Sequence, residues 1–287
     1  NYQYGVNSFH KFHGSEFLPL KSITKSFFDW YENWYLGKGN SVNGMFTGLK
    51  DLRSIFNNAI DDPNTELTPN DYPFGNGPSK YKIRTETTRK RSLQVEDLNL
   101  IRELPLEQES RAWHMRNYWL ILLNMRGMSL VAYAQLNYEE NLEGDRIIYR
   151  RSKTRRKNKS KMIVIKMSEE AKTIFNYYDG LNEQKTGYIF PLYHNLKADT
   201  AEKRFNRLRL YNKELNDEMT AIGKEIGLRH NLTSYVARHT FATVGKKKGV
   251  PISKISELLG HQDLRTTEIY LDSFDREDLD EATELIL

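Results

Sequence analysis

Apolar residues recur at helical spacing along most of this chain. In "SVNGMFTGLKDLRSIFNNAI" (41–60), Val42, Met45, Phe46, Leu49, Leu52, Ile55, Phe56, Ala59 and Ile60 fall on one broad face. Ser41 stands where it can cap the first turn. "SITKSFFDWYENWYLGKG" (22–39) predicts another helix, stopped by Gly37 and Gly39. Residues 1–75 therefore predict a small all-helical bundle. Between 61 and 91 the period is lost among Pro, Gly, Asn and Asp. The basic part of that stretch, 76–91, reads as an interdomain linker.

A second domain is predicted over 92–287. "SLQVEDLNLIREL" opens as a helix, with Ser92 and Glu96 as start signals. The stretch 111–136 predicts two helices meeting near Gly127. The period then drops to two in "DRIIYRRSK" and "SKMIVIKM", a hairpin whose tip is the basic "TRRKNK". Helical spacing returns over 168–180, 199–226 and 234–249. The expected fold class is mainly α with a small antiparallel β-sheet (α+β).

Composition narrows the classes. The chain has 287 residues and no cysteine. That excludes disulfides, thiolate zinc sites and cysteine nucleophiles, and fits a reducing cytoplasm. No apolar run approaches the roughly 18 residues that would span a bilayer, so no membrane is expected. The first residue is Asn1 rather than Met, so the N-terminus decides nothing about a leader. The net charge of +5 is modest, and its distribution carries more than its size.

Arg150, Arg151, Lys153, Arg155, Arg156, Lys157, Lys159 and Lys161 crowd one hairpin, and Lys246, Lys247 and Lys248 end a helix. With Lys80, Lys82 and Arg84 of the linker, these predict contacts to the phosphates of double-stranded DNA. The last segment, "DSFDREDLDEATELIL", is acidic with an apolar stripe of Leu279, Ala282 and Ile286. It predicts a protein partner.

Two neighbouring stretches carry candidate chemistry. "SYVARHTFATVGKKKG" (234–249) puts Tyr235 and Arg238 one turn apart on a helix. "GVPISKISELLGHQDLRTTEIYLDSF" (249–274) sets His261 directly after Gly260, then Tyr270 on a short helix. The blocks R-H-T-F-A-T, L-G-H and T-T-x-x-Y in this order resemble the C-terminal signature of the tyrosine recombinase (phage-type integrase) family. "YRRSKT" and "YVARHTFAT" look most like integrases of Bacteroidetes mobile elements.

The resemblance implies a helical core-binding (SAM-like) domain joined to a catalytic domain. It makes Tyr270 the nucleophile, Arg238 and Arg126 (in "NMRGMS") the two active-site arginines, and Lys153 the hairpin lysine. His261 matches the L-G-H histidine. Tyr235 occupies the position where most members place a histidine. Ala132 lies where relatives often carry an acidic residue, and "KTRRK" lacks a glycine that commonly follows the Lys-Thr pair. A phenol is a poor base near neutral pH, so the group that takes the proton from Tyr270 is left open.

These residue types suit one reaction. A phosphotyrosine keeps the free energy of a cleaved phosphodiester without a cofactor. Two guanidiniums can hold the non-bridging oxygens bidentately and stay charged at any working pH. Lys153 could protonate the leaving 5′-oxygen. No carboxylate cluster with ligand-like spacing lies near the motif, and no phosphate-cradling glycine loop is present. No metal and no cofactor are therefore expected. By resemblance, four identical protomers act on two duplexes through a Holliday junction, exchanging C-terminal tails, with an accessory DNA-bending protein as a further partner. Relatives of this kind usually carry an N-terminal arm-binding domain as well. Two other classes stay open: a DNA-binding protein without catalysis, and a type IB topoisomerase-like enzyme.

Overall fold

The computed structural model describes residues 3–15, 17–86, 91–150, 162–194, 196, 199–261 and 263–271. It divides into two compact units, 1–88 and 89–287. Of the predicted cations, Arg151, Lys153, Arg155, Arg156, Lys157, Lys159 and Lys161 lie outside the described residues, as does the tail after Leu271.

The first unit is built from α1 (Gln3–His13), α2 (Lys25–Gly37) and α3 (Val42–Asp61). The apolar stripe of α3 buries Met45, Leu49, Leu52 and Phe56, at the helical period that the sequence spells. Ser41 Oγ accepts from the Gly44 amide at 3.1 Å, so the expected cap forms. The helix at 22–39 is shorter than its pattern: 20–22 is a 3-10 turn, and Thr24 caps α2. Helices α1 and α3 cross at Gly5 and Gly48. A Cβ on Gly5 would lie 3.0 Å from the Gly48 carbonyl oxygen and one on Gly48 3.3 Å from Gly5 Cα, so the crossing is tight at both glycines.

The start of the expected linker is not free. Phe74 and Tyr81 are buried in the core of this unit beside Phe28 and Phe56, and Ile83 packs on it. The aromatic residues of the loop, sparse as they are, find a hydrophobic face that local pattern could not reveal. Tyr81 donates to Glu32 at 2.7 Å and Arg84 pairs with the same carboxylate at 2.6 Å. Burial, then the Glu32 carboxylate, push the Tyr81 phenol well above its ordinary value. Glu32→Ala is expected to cost about 1–2 kcal/mol, because it strands the buried Tyr81 hydroxyl. Arg84→Ala is expected to cost less than about 0.5 kcal/mol, since that guanidinium is largely in water. Urea unfolding of both variants measures the difference.

The second unit contains α4 (Val95–Glu103), α5 (Arg111–Asn124), α6 (Leu130–Ala134) and α7 (Tyr138–Asn141). A three-stranded antiparallel sheet follows, in the order β1 (Leu142–Glu143), β2 (Arg146–Arg150), β3 (Met162–Lys166). The pairing Ile148↔Val164 sets the register. Ile147 and Tyr149 of β2 and Ile163 and Ile165 of β3 turn to the core, the alternation expected of a half-buried sheet. Then come α8 (Glu169–Gly180), α9 (Ala201–Glu225), α10 (Ser234–Lys247), α11 (Ile252–Leu258) and α12 (Leu264–Leu271). This is the mainly α fold with a small antiparallel sheet that the pattern predicts.

The start of the second unit's first helix differs from expectation. Helix α4 begins at Val95, capped by a reciprocal pair of Gln94 and Asp97 rather than by Ser92 and Glu96. The Leu93 side chain is buried and its amide donates to Thr240 Oγ1, and residues 92–94 stay outside the helix. Pro251 is the N-cap of α11.

At the centre of the unit lies α5, with Trp119, Ile121 and Leu122 wholly buried. Its apolar residues surround the helix, as befits one packed on several sides, here by α8, α9 and α10. The Trp119 indole N–H donates to the Thr233 carbonyl at 2.9 Å and so ties α5 to the start of α10.

Candidate active site

Helix α5 ends in a turn that sets the site. The Gly127 and Met128 amides reach back to the Leu123 and Leu122 carbonyls at 3.4 and 3.2 Å. To make this turn, Arg126 takes φ +57° and Gly127 φ +65°. A left-handed arginine costs on the order of 1–2 kcal/mol, a strain of the kind that functional sites carry. Arg126 is half-buried. Desolvation lowers its pKa, while the Tyr149 phenol and the Glu257 carboxylate act to raise it. Its guanidinium stays charged at any working pH.

Arg238 comes from the middle of α10 and is 6% exposed. Its Nη1 donates to the Gly127 carbonyl at 2.9 Å, and its Nη2 to the Leu259 carbonyl at 2.7 Å. The close approach behind the first bond explains the glycine of the turn. A Cβ on Gly127 would sit 2.5 Å from Arg238 Cα and 2.7 Å from its Cβ. The chain thus brings the two arginines of "NMRGMS" and "YVARHTF" to one place by pressing backbone on backbone.

The L-G-H motif is the end of α11. Gly260 takes φ +65°, and the His261 amide donates to the Ser256 carbonyl at 2.9 Å. His261 therefore leaves the helix at a fixed angle. Its Nε2 lies 3.0 Å from Arg238 Nη2, and its Nδ1 lies 2.7 Å from Thr267 Oγ1. Thr267 is wholly buried on α12. Tyr270 stands three residues further along the same helix, just before the buried Leu271. The Leu271 carbonyl accepts from Lys246 Nζ at 3.2 Å, so α12 is anchored on both sides of Tyr270.

Tyr235 departs from the group. It is 59% exposed, with its ring edge-on to His239 at 4.9 Å. His239 is buried. Of the cations predicted to meet DNA, Arg150, Lys82, Lys247 and Lys248 are exposed. Lys80 instead donates to the Asn70 and Tyr72 carbonyls, Arg84 pairs with Glu32, and Lys246 holds α12. Among the described residues no group of three or more His, Asp or Glu side chains could hold a metal ion, and no helix is long and apolar enough to cross a membrane.

Sequence reading missed Thr267, Thr240 and the Gly127 and Leu259 carbonyls. The threonines stand in the motifs themselves, but nothing in their spacing says that their hydroxyls turn inward.

The chain has known relatives. The profile of the Phage integrase family matches residues 93–277, and that of the Phage integrase SAM-like domain matches residues 1–83. The chain belongs to the phage integrase family. It is 36% identical over 76 residues to tyrosine recombinase XerA of Saccharolobus solfataricus, a match covering 26% of this chain and 21% of that protein. It is 29% identical over 130 residues to a tyrosine recombinase of Pseudothermotoga lettingae, covering 45% of this chain and 41% of the other. The matched regions thus span less than half the length of these curated relatives.

Two solved structures share the fold. One is the XerH site-specific recombinase bound to a palindromic difH substrate, with TM-score 0.65 and 20% identity over 97% of this chain and 77% of that one. The other is a lambda integrase dimer bound to a core site, with TM-score 0.63 and 14% identity over 96% of this chain and 88% of that one.

Proposed function

We propose that this phage integrase family member is a site-specific DNA recombinase, cleaving and rejoining strands through a 3′-phosphotyrosyl link on Tyr270. The observation that carries the reading is the convergence of Gly127, Arg238 and His261 within hydrogen-bond distance, with Tyr270 on the adjoining helix. Arg126 and Arg238 would hold the non-bridging oxygens of the scissile phosphate. His261 and Tyr235 would add hydrogen bonds. Lys153, on the hairpin after β2, would give its proton to the leaving 5′-oxygen.

The substrate in this reading is duplex DNA at the end of a mobile element, contacted chiefly at phosphates by Arg150, Lys82, Lys247, Lys248 and the hairpin cations. Lys80 and Arg84 would have to exchange their protein partners for phosphates to join them. Four protomers would act on two duplexes through a Holliday junction in the bacterial cytoplasm, on the nucleoid, with or without a DNA-bending protein. A groove of about 670 Å³ lined by Leu130, Val131, Phe205, Leu208 and Tyr235 supports tail exchange. It offers apolar surface for Leu279, Ala282 and Ile286 of a neighbouring tail.

The test is covalent trapping on a nicked duplex of the element's end, with EDTA, read on a denaturing gel. A slow band containing protein and labelled strand is expected. No band on a DNA that the protein binds would leave a binding protein without strand-cleaving chemistry. Relaxation of plasmids that lack any specific site would favour a topoisomerase instead.

Lys153→Ala is expected to slow cleavage by about 10²-fold or more, the contribution of a positioned acid, and to leave DNA binding nearly unchanged. Equal loss of binding and cleavage, measured by gel shift and single-turnover rates, would make Lys153 a phosphate contact only.

A further inference from the structure

The proton that Tyr270 must lose has no evident taker at Tyr235, a phenol turned largely to solvent against His239. The structure holds another acceptor. A guanidinium has only donors, so the 3.0 Å contact between Arg238 Nη2 and His261 Nε2 makes that nitrogen the acceptor. A neutral imidazole with a lone pair on Nε2 carries its proton on Nδ1. That nitrogen lies 2.7 Å from Thr267 Oγ1, and the N–H donates to it. The Thr267 side chain is wholly buried, so bulk water cannot replace its hydroxyl in that bond. Both ring nitrogens are thus assigned by their neighbours, and the lone pair faces the arginine.

Resting on Tyr270 as the nucleophile, we propose that Thr267 is a positioning residue that holds His261 in its Nδ1–H form, and that His261 Nε2 is the base for Tyr270. When a phosphate oxygen takes over the Arg238 Nη2 hydrogen bond, Nε2 is released. The phenol proton passes to Nε2 and makes an imidazolium. The phenolate oxygen bonds to phosphorus while the bond from phosphorus to the 5′-oxygen breaks, and that oxygen takes its proton from the hairpin acid. In rejoining, the 5′-hydroxyl gives its proton back to the hairpin group and bonds to phosphorus, the bond from phosphorus to the tyrosine oxygen breaks, and the imidazolium returns its proton to that oxygen. Thr267 and Tyr270 share α12 one turn apart, and His261 is fixed on the end of α11. Base and positioning residue are thus bonded directly, and the backbone of the nucleophile follows one turn on along the same helix.

The test compares single-turnover cleavage at saturating DNA for Thr267→Val, which keeps the shape and loses the hydroxyl, and Thr267→Ser, which keeps the hydroxyl. Each is made also with a difluorinated tyrosine, a more acidic phenol, at position 270. Thr267→Val is expected to lose at least about 10-fold in rate with DNA affinity unchanged, a part of the 10²–10⁴-fold that a positioned base contributes. Thr267→Ser is expected to restore the rate. The acidic phenol is expected to close the gap between Thr267→Val and parent, because an ionised phenol needs no base.

A parent-like rate for Thr267→Val, or a defect that the acidic phenol leaves intact, overturns the proposal. If Thr267→Val fails to fold, His261→Gln with and without the acidic phenol gives the same comparison. A parent chain that forms no adduct would instead strike the strand-cleaving reading itself.

Discussion

Tyr270→Phe is expected to bind its DNA as the parent does and to form no covalent adduct. The change removes one oxygen from α12 and leaves the anchors of that helix in place: the Thr267 hydroxyl on His261 and the Leu271 carbonyl on Lys246. The phosphate-binding cations are untouched, so affinity should hold. The reaction cannot proceed without the phenol, because the covalent ester is where the bond energy of the cleaved strand is kept. A gel shift beside a denaturing gel with a labelled strand reads both quantities. An adduct that survives the change would move the nucleophile to another residue and remove α12 from the chemistry.

Gly127→Ala is expected to damage fold and reaction together. Two terms add. A left-handed alanine costs about 1–2 kcal/mol and overpacking about 1–3 kcal/mol, roughly 2–5 kcal/mol in all. The clash is with Arg238 Cα at 2.5 Å, which no change of rotamer relieves. Relief must come from shifting α10 away from the α5 turn, and that shift carries the Arg238 guanidinium off the Gly127 carbonyl. Cleavage should then fall by about 10²–10³-fold, the loss seen when one well-placed donor goes. Gly144→Ala is the control. It has φ +57° but nothing within 4 Å of the added Cβ, so it isolates the backbone cost of about 1–2 kcal/mol. Urea unfolding and single-turnover rates on both variants separate strain from clash. A Gly127→Ala chain as stable and as active as Gly144→Ala would mean that the turn and α10 are not pressed together.

Much of the architecture was legible because helices and hairpins announce themselves locally. The stripe over 42–60, the change of period at β2 and β3, and the stop at Gly260 each depend on neighbours within a few residues. The boundaries that reading misplaced were those set from a distance. Helix α4 starts late because Leu93 is tied to Thr240, 147 residues on. The stretch after 73 is held to its unit because Tyr81 meets Glu32. Exposure of the basic residues was equally illegible. Lys246 and Lys247 are adjacent in one run of lysines, yet the first holds the Leu271 carbonyl and the second is exposed.

By itself the sequence determined the elements, the basic hairpin and the order Arg126, Tyr235, Arg238, His261, Tyr270 from which the family resemblance was read. Tertiary structure alone decided how these residues meet. It set Arg238 against Gly127 through a carbonyl 111 residues away, turned Tyr235 outward, and bonded His261 to a buried threonine. The reason is physical. Periodicity records which face of an element is apolar, whereas a hydrogen bond between distant segments depends on how two backbones cross, and that is fixed only when the core closes.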